Sequence, residues 1–398
     1  MLLQSAILAD GRSVDVRIAD GLISEIGAGL VPGGDDVLDL GGRLLLSAFA
    51  EPHAHLDKAF LAERIINETG DLMGAILAMH ANRHLVSLED TIQRAERAVR
   101  LMVANGTTLI RSHADTTVEN GLMSVEALAE VRRRTADVCD LEIVALVGWP
   151  ITGSAGADTR ALLRDALDAG ADVVGGCPHL EDDPGAATDQ LLDLAAERGR
   201  NVDLHTDETL DPSKLALEHL ARRIRETGFP HRVTASHCVS LVMHTEARQR
   251  EVAGLVAEAG ITVVALPHTN LFLQGRDHQQ SMPRALTPVK ALRDAGVNVC
   301  AGADNLQDPF NPMGRGDPLE TGSLMVMAAH LLPDIALDCV SGAVHRAVFG
   351  SHQGITLGAP AELVALAATG VREALAFGPT DRMVFHQGRL VSASPSGK

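Results

Sequence analysis

The chain has 398 residues, 46% of them hydrophobic, and a formal net charge of −18, which is a composition typical of globular proteins. The acidic balance argues against functions that depend on a basic face, such as binding nucleic acid or an anionic membrane surface. Five widely spaced cysteines without a Cys-x-x-Cys pair, no basic leader and no run of about 18 apolar residues predict a cytoplasmic protein.

Both ends of the chain predict short β-strands. Residues 1–43 contain alternating segments, such as 14–18 and 22–26, that are separated by glycines. The last stretch, residues 354–395, has the same pattern of short apolar runs and turn residues. We therefore predict that residues 1–48 and 350–398 form one composite β-sandwich domain.

The middle of the chain, residues 49–349, alternates short apolar runs with helical segments. One helical segment begins after Ser87, which we predict as its N-cap, and ends at Gly106. Eight βα units in about 300 residues predict an α/β fold, a (β/α)₈ TIM-type barrel that carries the catalytic site. The eight candidate strands are residues 44–52, 107–113, 141–148, 172–177, 201–206, 232–237, 261–267 and 297–303.

Polar residues gather at the carboxyl ends of these strands, where barrel enzymes carry their chemistry. His53 and His55 lie two residues apart at the end of the first strand, so both imidazoles lie on one face. His205 ends the fifth strand, and Asp304 follows the eighth. Three imidazoles and a carboxylate suit Zn²⁺ or Fe²⁺ with one position open for water. We therefore predict one divalent metal ion at these four residues.

Four further residues near the strand ends have more than one interpretation. Glu208 follows His205 by three residues, so it is either a proton shuttle for the hydrolytic water or a solvated carboxylate that opens the next helix. His237, at the end of the sixth strand, is either a site residue or a buried core histidine. His113 and His179 either line the pocket or form structural hydrogen bonds.

Several segments, in order along the chain, resemble the cytosine deaminase branch of the amidohydrolase superfamily over nearly the whole length. They include Glu51-Pro-His-Ala-His-Leu-Asp57, Asp203-Leu-His-Thr-Asp-Glu208 and Val233-Thr-Ala-Ser-His237. The pairs Asp57-Lys58 and Asp304-Asn305 are similar to N-isopropylammelide amidohydrolase. The resemblance implies a metal-dependent barrel with a small β-sandwich, in agreement with the pattern described above, and assembly into a homo-oligomer.

The resemblance also implies a reaction and roles for individual residues. The implied reaction is hydrolytic deamination of a small nitrogen heterocycle, such as cytosine or a related aminopyrimidine or aminotriazine, with release of ammonia. Asp304 would orient the attacking water, Glu208 would protonate the ring nitrogen, and His237 would stabilise the attacking oxygen. The implied ligands of the single Zn²⁺ or Fe²⁺ are His53, His55, His205 and Asp304.

The sequence departs from cytosine deaminases where the substrate would bind. Gly148 and Trp149 stand in place of a Gln-Glu segment whose amide reads the cytosine edge, so the substrate differs or is read differently. Asn305 replaces an aspartate, and Phe310 replaces a tryptophan. The substrate-binding residues that we expect are Gly148, Trp149, His113, His179, Asn305 and Phe310.

Two alternative functions stay open at this point. The same site chemistry would release an alkylamine from an N-alkyl ammelide or open a cyclic amide. A metal-free scaffold protein is the alternative without catalysis, but such a chain should have lost a ligand, and all four ligand positions and Glu208 are present. The Pro-Cys-x-x-Cys signature of base-flipping zinc deaminases is absent.

Overall fold

The computed structural model describes residues 1–393 of the protein. Five strands precede the barrel, and β1 pairs with β2 in antiparallel fashion and with β4 and β5 in parallel fashion. Val14, Val16 and Ile18 lie on one face of β2 and are buried, and the apolar residues of this region form a small core of their own. These strands are β1 (Leu2–Ile7), β2 (Ser13–Ala19), β3 (Leu22–Gly27), β4 (Val37–Asp39) and β5 (Leu44–Ser47).

The next eight strands form a parallel sheet in which each strand pairs with its successor. Its ends meet where the His55 N–H donates to the Asp304 carbonyl oxygen, at 3.2 Å. The predicted (β/α)₈ barrel is therefore confirmed. Its strands are β6 (Phe49–Ala54), β7 (Thr107–Thr116), β8 (Asp140–Val147), β9 (Val173–Gly176), β10 (Asn201–Thr206), β11 (Val233–His237), β12 (Thr262–Ala265) and β13 (Val299–Ala301).

Helices separate the barrel strands and cover the sheet. The Ser87 side chain accepts a hydrogen bond from the Asp90 N–H and caps α2, as the sequence predicts. Within residues 1–393, no helix combines the length and the apolar character needed to cross a membrane. The helices are α1 (Leu72–Ala81), α2 (Leu88–Ala104), α3 (Met123–Thr135), α4 (Ala157–Asp168), α5 (Pro184–Arg198), α6 (Ala216–Thr227), α7 (Glu246–Glu258), α8 (Pro267–Leu273), α9 (Val289–Asp294), α10 (Pro318–Ala328), α11 (Pro333–Cys339), α12 (Gly342–Phe349) and α13 (Val371–Phe377).

The carboxyl-terminal strands return to the amino-terminal sheet. These strands are β14 (Leu363–Leu366), β15 (Arg382–His386) and β16 (Arg389–Ala393). β14 pairs antiparallel with β5, so both ends of the chain contribute to one eight-stranded sheet beside the barrel. We propose this sheet as the framework of the composite domain predicted at residues 1–48 and 350–398.

One predicted strand is wrong in its extent. Residues 44–52 form two strands, β5 and β6, that belong to different sheets. The Ala48 N–H donates to the Glu362 carbonyl oxygen of the terminal region, whereas the Phe49 N–H donates to the Gly106 carbonyl oxygen beside the barrel, both at 2.9 Å. Nearly all of these residues are buried, so no change in polarity marks the break.

Candidate active site

A pocket of about 730 Å³, part of it open to solvent, lies at the carboxyl ends of the barrel strands. Three of the four predicted metal ligands line it, and His53 lies just behind them. The pocket is also lined by Glu208, His237 and five of the six expected substrate-binding residues, namely Gly148, Trp149, His179, Asn305 and Phe310.

The predicted metal ligands converge on one point beneath this pocket. His205 Nε2 lies 3.1 Å from His53 Nε2 and 3.2 Å from His55 Nε2. Asp304 Oδ1 lies 3.3 Å from His55 Nε2 and 3.8 Å from His53 Nε2. Ligand atoms about 2.1 Å from a tetrahedral metal ion are separated by about 3.4 Å, so the observed spacing fits such an ion.

The chemistry of these groups also fits a cation. Burial, together with the neighbouring imidazoles, lowers the pKa of His53 and His205 well below the usual range, so both rings are neutral. Burial, and the neighbouring carboxyl group of Glu208, raises the pKa of Asp304 well above its usual range. A neutral imidazole keeps a nitrogen lone pair that can bind a metal ion, and a bound cation would compensate the negative charge of the Asp304 carboxylate.

The protonated nitrogen of His53 can be identified from its hydrogen bonds. Ser236 Oγ donates its only hydrogen to Asp203 Oδ1, at 3.1 Å. It therefore accepts from His53 Nδ1, which lies 2.9 Å away. With its proton on Nδ1, His53 presents the Nε2 lone pair toward His205, which is the orientation that a metal ligand needs.

Glu51 holds the first and last barrel strands together at the site. Its carboxyl oxygens accept from the His53 N–H, at 3.1 Å, and from the Ala303 N–H, at 3.0 Å. A Cβ atom on Gly302 would lie 2.2 Å from Glu51 Oε1, so any larger residue there would displace this carboxyl group. Burial raises the pKa of Glu51 to about 8. Glu51 thus fixes the backbone of one predicted ligand, His53, and of the residue that precedes another, Asp304.

A second buried polar cluster lies deeper in the barrel. Arg111 donates to Glu142 Oε2, at 2.7 Å, and to Asp203 Oδ2, at 2.8 Å. We call these three residues the Arg111 cluster. His113 lies between it and the predicted ligands, with its ring centroid 3.9 Å from that of His53. His113 is fully buried and does not line the pocket, so its position does not support substrate binding.

Glu208 and His237 lie beside the predicted metal point. Glu208 is buried, and burial raises the pKa of its carboxyl group to about 8. His237 Nδ1 lies 3.6 Å from Glu208 Oε1, and its Nε2 lies 3.9 Å from Asp304 Oδ2. His237 and Asp304 have φ values of +70° and +64°, which non-glycine residues rarely adopt. Such backbone geometry is concentrated at functional sites.

Asn305 and His179, the two remaining predicted polar residues of the pocket, differ in how many of their hydrogen-bonding atoms are already paired. The Asn305 amide donates to Asp308 Oδ2, at 2.7 Å, and accepts from Thr269 Oγ1, at 3.3 Å, so both of its polar atoms are already bonded. His179 donates from Nδ1 to the His205 carbonyl oxygen, at 3.0 Å. Its Nε2 has no partner among the described residues and is an acceptor in the pocket wall.

Sequence reasoning missed part of the pocket wall. Lys58, which the sequence singles out only as part of the Asp57-Lys58 pair, lines the pocket together with Asp115. Helix α1 contributes an apolar wall to the pocket. Because this helix is apolar on all sides, nothing in its sequence distinguishes the residues that line the pocket from the others. Its pocket-lining residues are Leu72, Ile76, Met79 and His80.

Comparisons with known proteins agree with this geometry. Residues 61–392 match the Amidohydrolase family. A pterin deaminase from Rhizobium rhizogenes is 35% identical over 391 residues, which cover 96% of this chain and 88% of the relative. The structure of 5-methylcytosine deaminase from Klebsiella pneumoniae, liganded with 5-fluorocytosine, is similar with a TM-score of 0.91 and 31% identity, covering 100% of this chain and 98% of that one.

A third similar protein is N-isopropylammelide isopropylaminohydrolase from Burkholderia multivorans, with a TM-score of 0.86 and 28% identity over 98% of both chains. The predicted resemblance to the cytosine deaminase-like branch is therefore confirmed. The protein belongs to the amidohydrolase family and is a hydrolase that acts on carbon–nitrogen bonds.

Proposed function

We propose that the protein is a metal-dependent deaminase that hydrolyses an amino group from a flat nitrogen heterocycle. The observation that carries this proposal is the convergence of three imidazole Nε2 atoms and one carboxylate beside Glu208, in a pocket with mostly apolar walls. The similarity to a pterin deaminase and to a 5-methylcytosine deaminase supports this reaction class.

The residues that would hold the ion are His53, His55, His205 and Asp304, and their nitrogen and oxygen donors suit Zn²⁺ or Fe²⁺. When bound, a divalent cation supplies Lewis-acid chemistry and makes water a stronger nucleophile at neutral pH. Asp304 Oδ2 lies 3.9 Å from His237 Nε2, so a water between the two would be oriented by both side chains.

Glu208 is placed to move the protons of the reaction. Because its pKa is raised to about 8, its carboxyl group holds a proton at neutral pH and can donate it to the ring nitrogen beside the attacked carbon. Addition of water oxygen to that carbon forms the new C–O bond, and the C–N bond to the amino group then breaks. Glu208 carries one water proton to the departing amine and takes up the other, so ammonia leaves, a carbonyl remains and the carboxyl group of Glu208 is protonated again.

His237 is placed to stabilise the oxygen that adds to the ring. Its Nδ1 lies 3.1 Å from Asn270 Nδ2, an amide that donates and therefore leaves the ring proton on Nε2. This Nε2–H faces Asp304 and has no partner among the described residues. It is a hydrogen-bond donor reserved for the attacking oxygen.

The candidate substrates are pterin, 5-methylcytosine and cytosine, which share an amino group on a ring carbon that is doubly bonded to nitrogen. Release of an alkylamine is the second candidate, supported by the similarity to the N-isopropylammelide enzyme over nearly the whole chain. The expected partner is thus a small heterocycle, and assembly into a homo-oligomer stays a prediction.

The test is product analysis with the metal-loaded protein. The protein is purified without chelator, its Zn and Fe contents are measured, and each candidate ring is incubated with it. We expect one equivalent of metal and release of ammonia with an intact ring from at least one aminated ring. Release of isopropylamine alone would support the second candidate, and no product from a metal-loaded protein would contradict both.

A further inference from the structure

A charged pair in the pocket wall is not used by the proposed chemistry. Lys58 Nζ lies 2.6 Å from Asp115 Oδ1, and both side chains line the pocket. The Lys58 side chain is 6% exposed, whereas that of Asp115 is 29% exposed and is therefore the more accessible member. Removing Lys58 and part of Asp115 from water is costly, so the presence of this ion pair in a mostly apolar pocket wall requires an explanation.

The pair has unused hydrogen-bonding capacity. Asp115 Oδ1 accepts from Lys58, but Oδ2 receives no hydrogen bond from any residue between 1 and 393. Lys58 has three hydrogens, one of which goes to Asp115, and Asp57 Oδ1 at 3.7 Å is beyond hydrogen-bond distance. The pair therefore presents one free acceptor beside an ammonium donor.

The contact between Lys58 and His55 frees a second hydrogen in the metal-loaded enzyme. Lys58 Nζ lies 3.0 Å from His55 Nδ1. A neutral imidazole that binds a metal ion through Nε2 keeps its proton on Nδ1, so it cannot accept a hydrogen bond there. Lys58 then lacks this acceptor and needs another one.

The position of the pair fits a ring held over the reacting centre. Lys58 lies one imidazole ring away from His55 Nε2, because it contacts the opposite nitrogen of that ring. The Phe310 ring centroid lies 5.9 Å from Lys58 Nζ, so a flat apolar surface adjoins the pair. A heterocycle that presents its reacting carbon to Glu208 can therefore direct another edge toward Lys58 and Asp115.

We propose that Lys58 and Asp115 together bind the lactam edge of the substrate, a ring N–H beside a ring C=O. The Lys58 ammonium donates to the carbonyl oxygen, and Asp115 Oδ2 accepts from the N–H. This inference rests on the proposed deaminase function and names the feature that its substrate carries in addition to the amino group. Gly148 has no side chain and Trp149 offers only an N–H donor, so the Lys58–Asp115 pair supplies the acceptor that these two residues lack, together with a charged donor beside it.

The test compares rings that differ only in the lactam edge. The probes are pterin against 2-aminopteridine, which lacks the oxo group, and cytosine against 4-aminopyrimidine. The double variant Lys58→Met/Asp115→Leu removes both charges and keeps the side-chain sizes, because replacing both partners avoids leaving one buried charge. The matched control is Lys290→Met/Asp294→Leu, the same changes in an exposed ion pair on α9.

Binding is measured by calorimetry in the Glu208→Gln background and turnover in the Glu208 enzyme, both after confirming metal content and melting temperature. We expect the control to prefer the lactam member of one probe pair by about 100-fold or more. The double variant should lose most of this preference, while binding of the member without a lactam changes by less than about threefold.

A second variant keeps the test informative if the double variant does not fold. Asp115→Asn retains the side-chain shape but turns an amide N–H₂ donor toward the pocket when its oxygen accepts from Lys58. We expect it to weaken binding of the lactam member specifically, by about tenfold.

The inference is overturned if the preference survives in the double variant, if both members of a pair weaken equally, or if the metal-loaded control shows no preference in either pair. Failure of the proposed function has a different signature. In that case the lactam member binds through Lys58 and Asp115, but no ammonia is released.

Discussion

The two buried polar clusters of the barrel differ in how completely their atoms are paired. In the Arg111 cluster, no side-chain nitrogen or oxygen is both buried and unpartnered among the described residues. In the predicted metal site above it, Asp304 Oδ1 and the Nε2 atom of the adjacent His237 are both buried without a hydrogen-bond partner. An unsatisfied buried group costs free energy. The predicted metal site, and not the Arg111 cluster, is therefore the one arranged to receive a ligand.

The largest expected effect, on both metal retention and turnover, comes from removing one of the predicted metal ligands. Asp304→Ala should weaken retention of the metal and reduce turnover by about 10⁴-fold, because the carboxylate both binds the cation and orients the water. Metal content by elemental analysis and ammonia release are measured on the same sample. If the variant retained a full equivalent of metal, Asp304 would be a base and not a ligand.

Glu208→Gln should separate metal binding from chemistry. Glutamine has nearly the same shape as the protonated glutamate but cannot transfer a proton, so turnover should fall by about 10²–10⁴-fold. Metal content and melting temperature should match those of the unsubstituted protein, since Glu208 is not a predicted ligand. Substantial residual activity would contradict the role of Glu208 as proton shuttle.

Arg111→Met should disrupt the Arg111 cluster and leave the predicted metal site in place. The change leaves Asp203 and Glu142 without their cation, and we expect the free energy of unfolding to fall by about 3–5 kcal/mol. Urea denaturation measures this loss, with Arg133→Met as the control because that side chain is 73% exposed. If the free energy of unfolding fell no more than in the control, the ion pairs of the Arg111 cluster would not stabilise the fold.

Ser236→Ala tests the one hydrogen-bond bridge that we identify between the clusters. The substitution removes the acceptor of His53 Nδ1–H and the donor to Asp203. We expect metal affinity to fall by about 10–100-fold, because the protonated nitrogen of His53 is no longer fixed. Competition with a chromogenic chelator measures the affinity, and Ser213→Ala on an exposed loop is the control. Unchanged affinity would mean that His53 is oriented by packing alone.

The smallest expected effect is a pH dependence of stability far from the site. Burial alone would lower the pKa of His386, but its hydrogen bond to Glu362 and the negative charges of Glu362, Asp140 and Asp137 together outweigh burial and raise the pKa above 6.5. This pair therefore stabilises the fold below pH 6.5, and the contribution is lost as the pH rises through the raised value. Glu362→Gln should lower the free energy of unfolding, measured by urea denaturation, more at pH 6 than at pH 9, by about 1 kcal/mol or less and without changing turnover. An equal loss at both pH values would contradict the assignment.

The sequence predicts the barrel and the convergence of the four candidate ligands because both depend on position along parallel strands. His53 and His55 share a face through the two-residue repeat, and strand ends gather at one side of a barrel. The role of Lys58 could not be predicted, because its partner Asp115 is 57 residues away and the sequence offers Asp57 as a nearer one. His113 shows a second limit of the sequence, since a histidine at a strand end can lie either in the pocket or, as here, behind the predicted ligands.

The single residue between β5 and β6 has a consequence for how the chain tolerates change. Ala48 bonds to one sheet and Phe49 to the other, so the register of the terminal sheet passes directly into the strand that carries His53 and His55. Because side chains alternate along a strand, one residue inserted or deleted here would turn both histidines away from the pocket. An insertion in a surface loop changes only the loop. At the junction between β5 and β6, by contrast, the number of residues determines which way His53 and His55 point, so function constrains the length of the chain there.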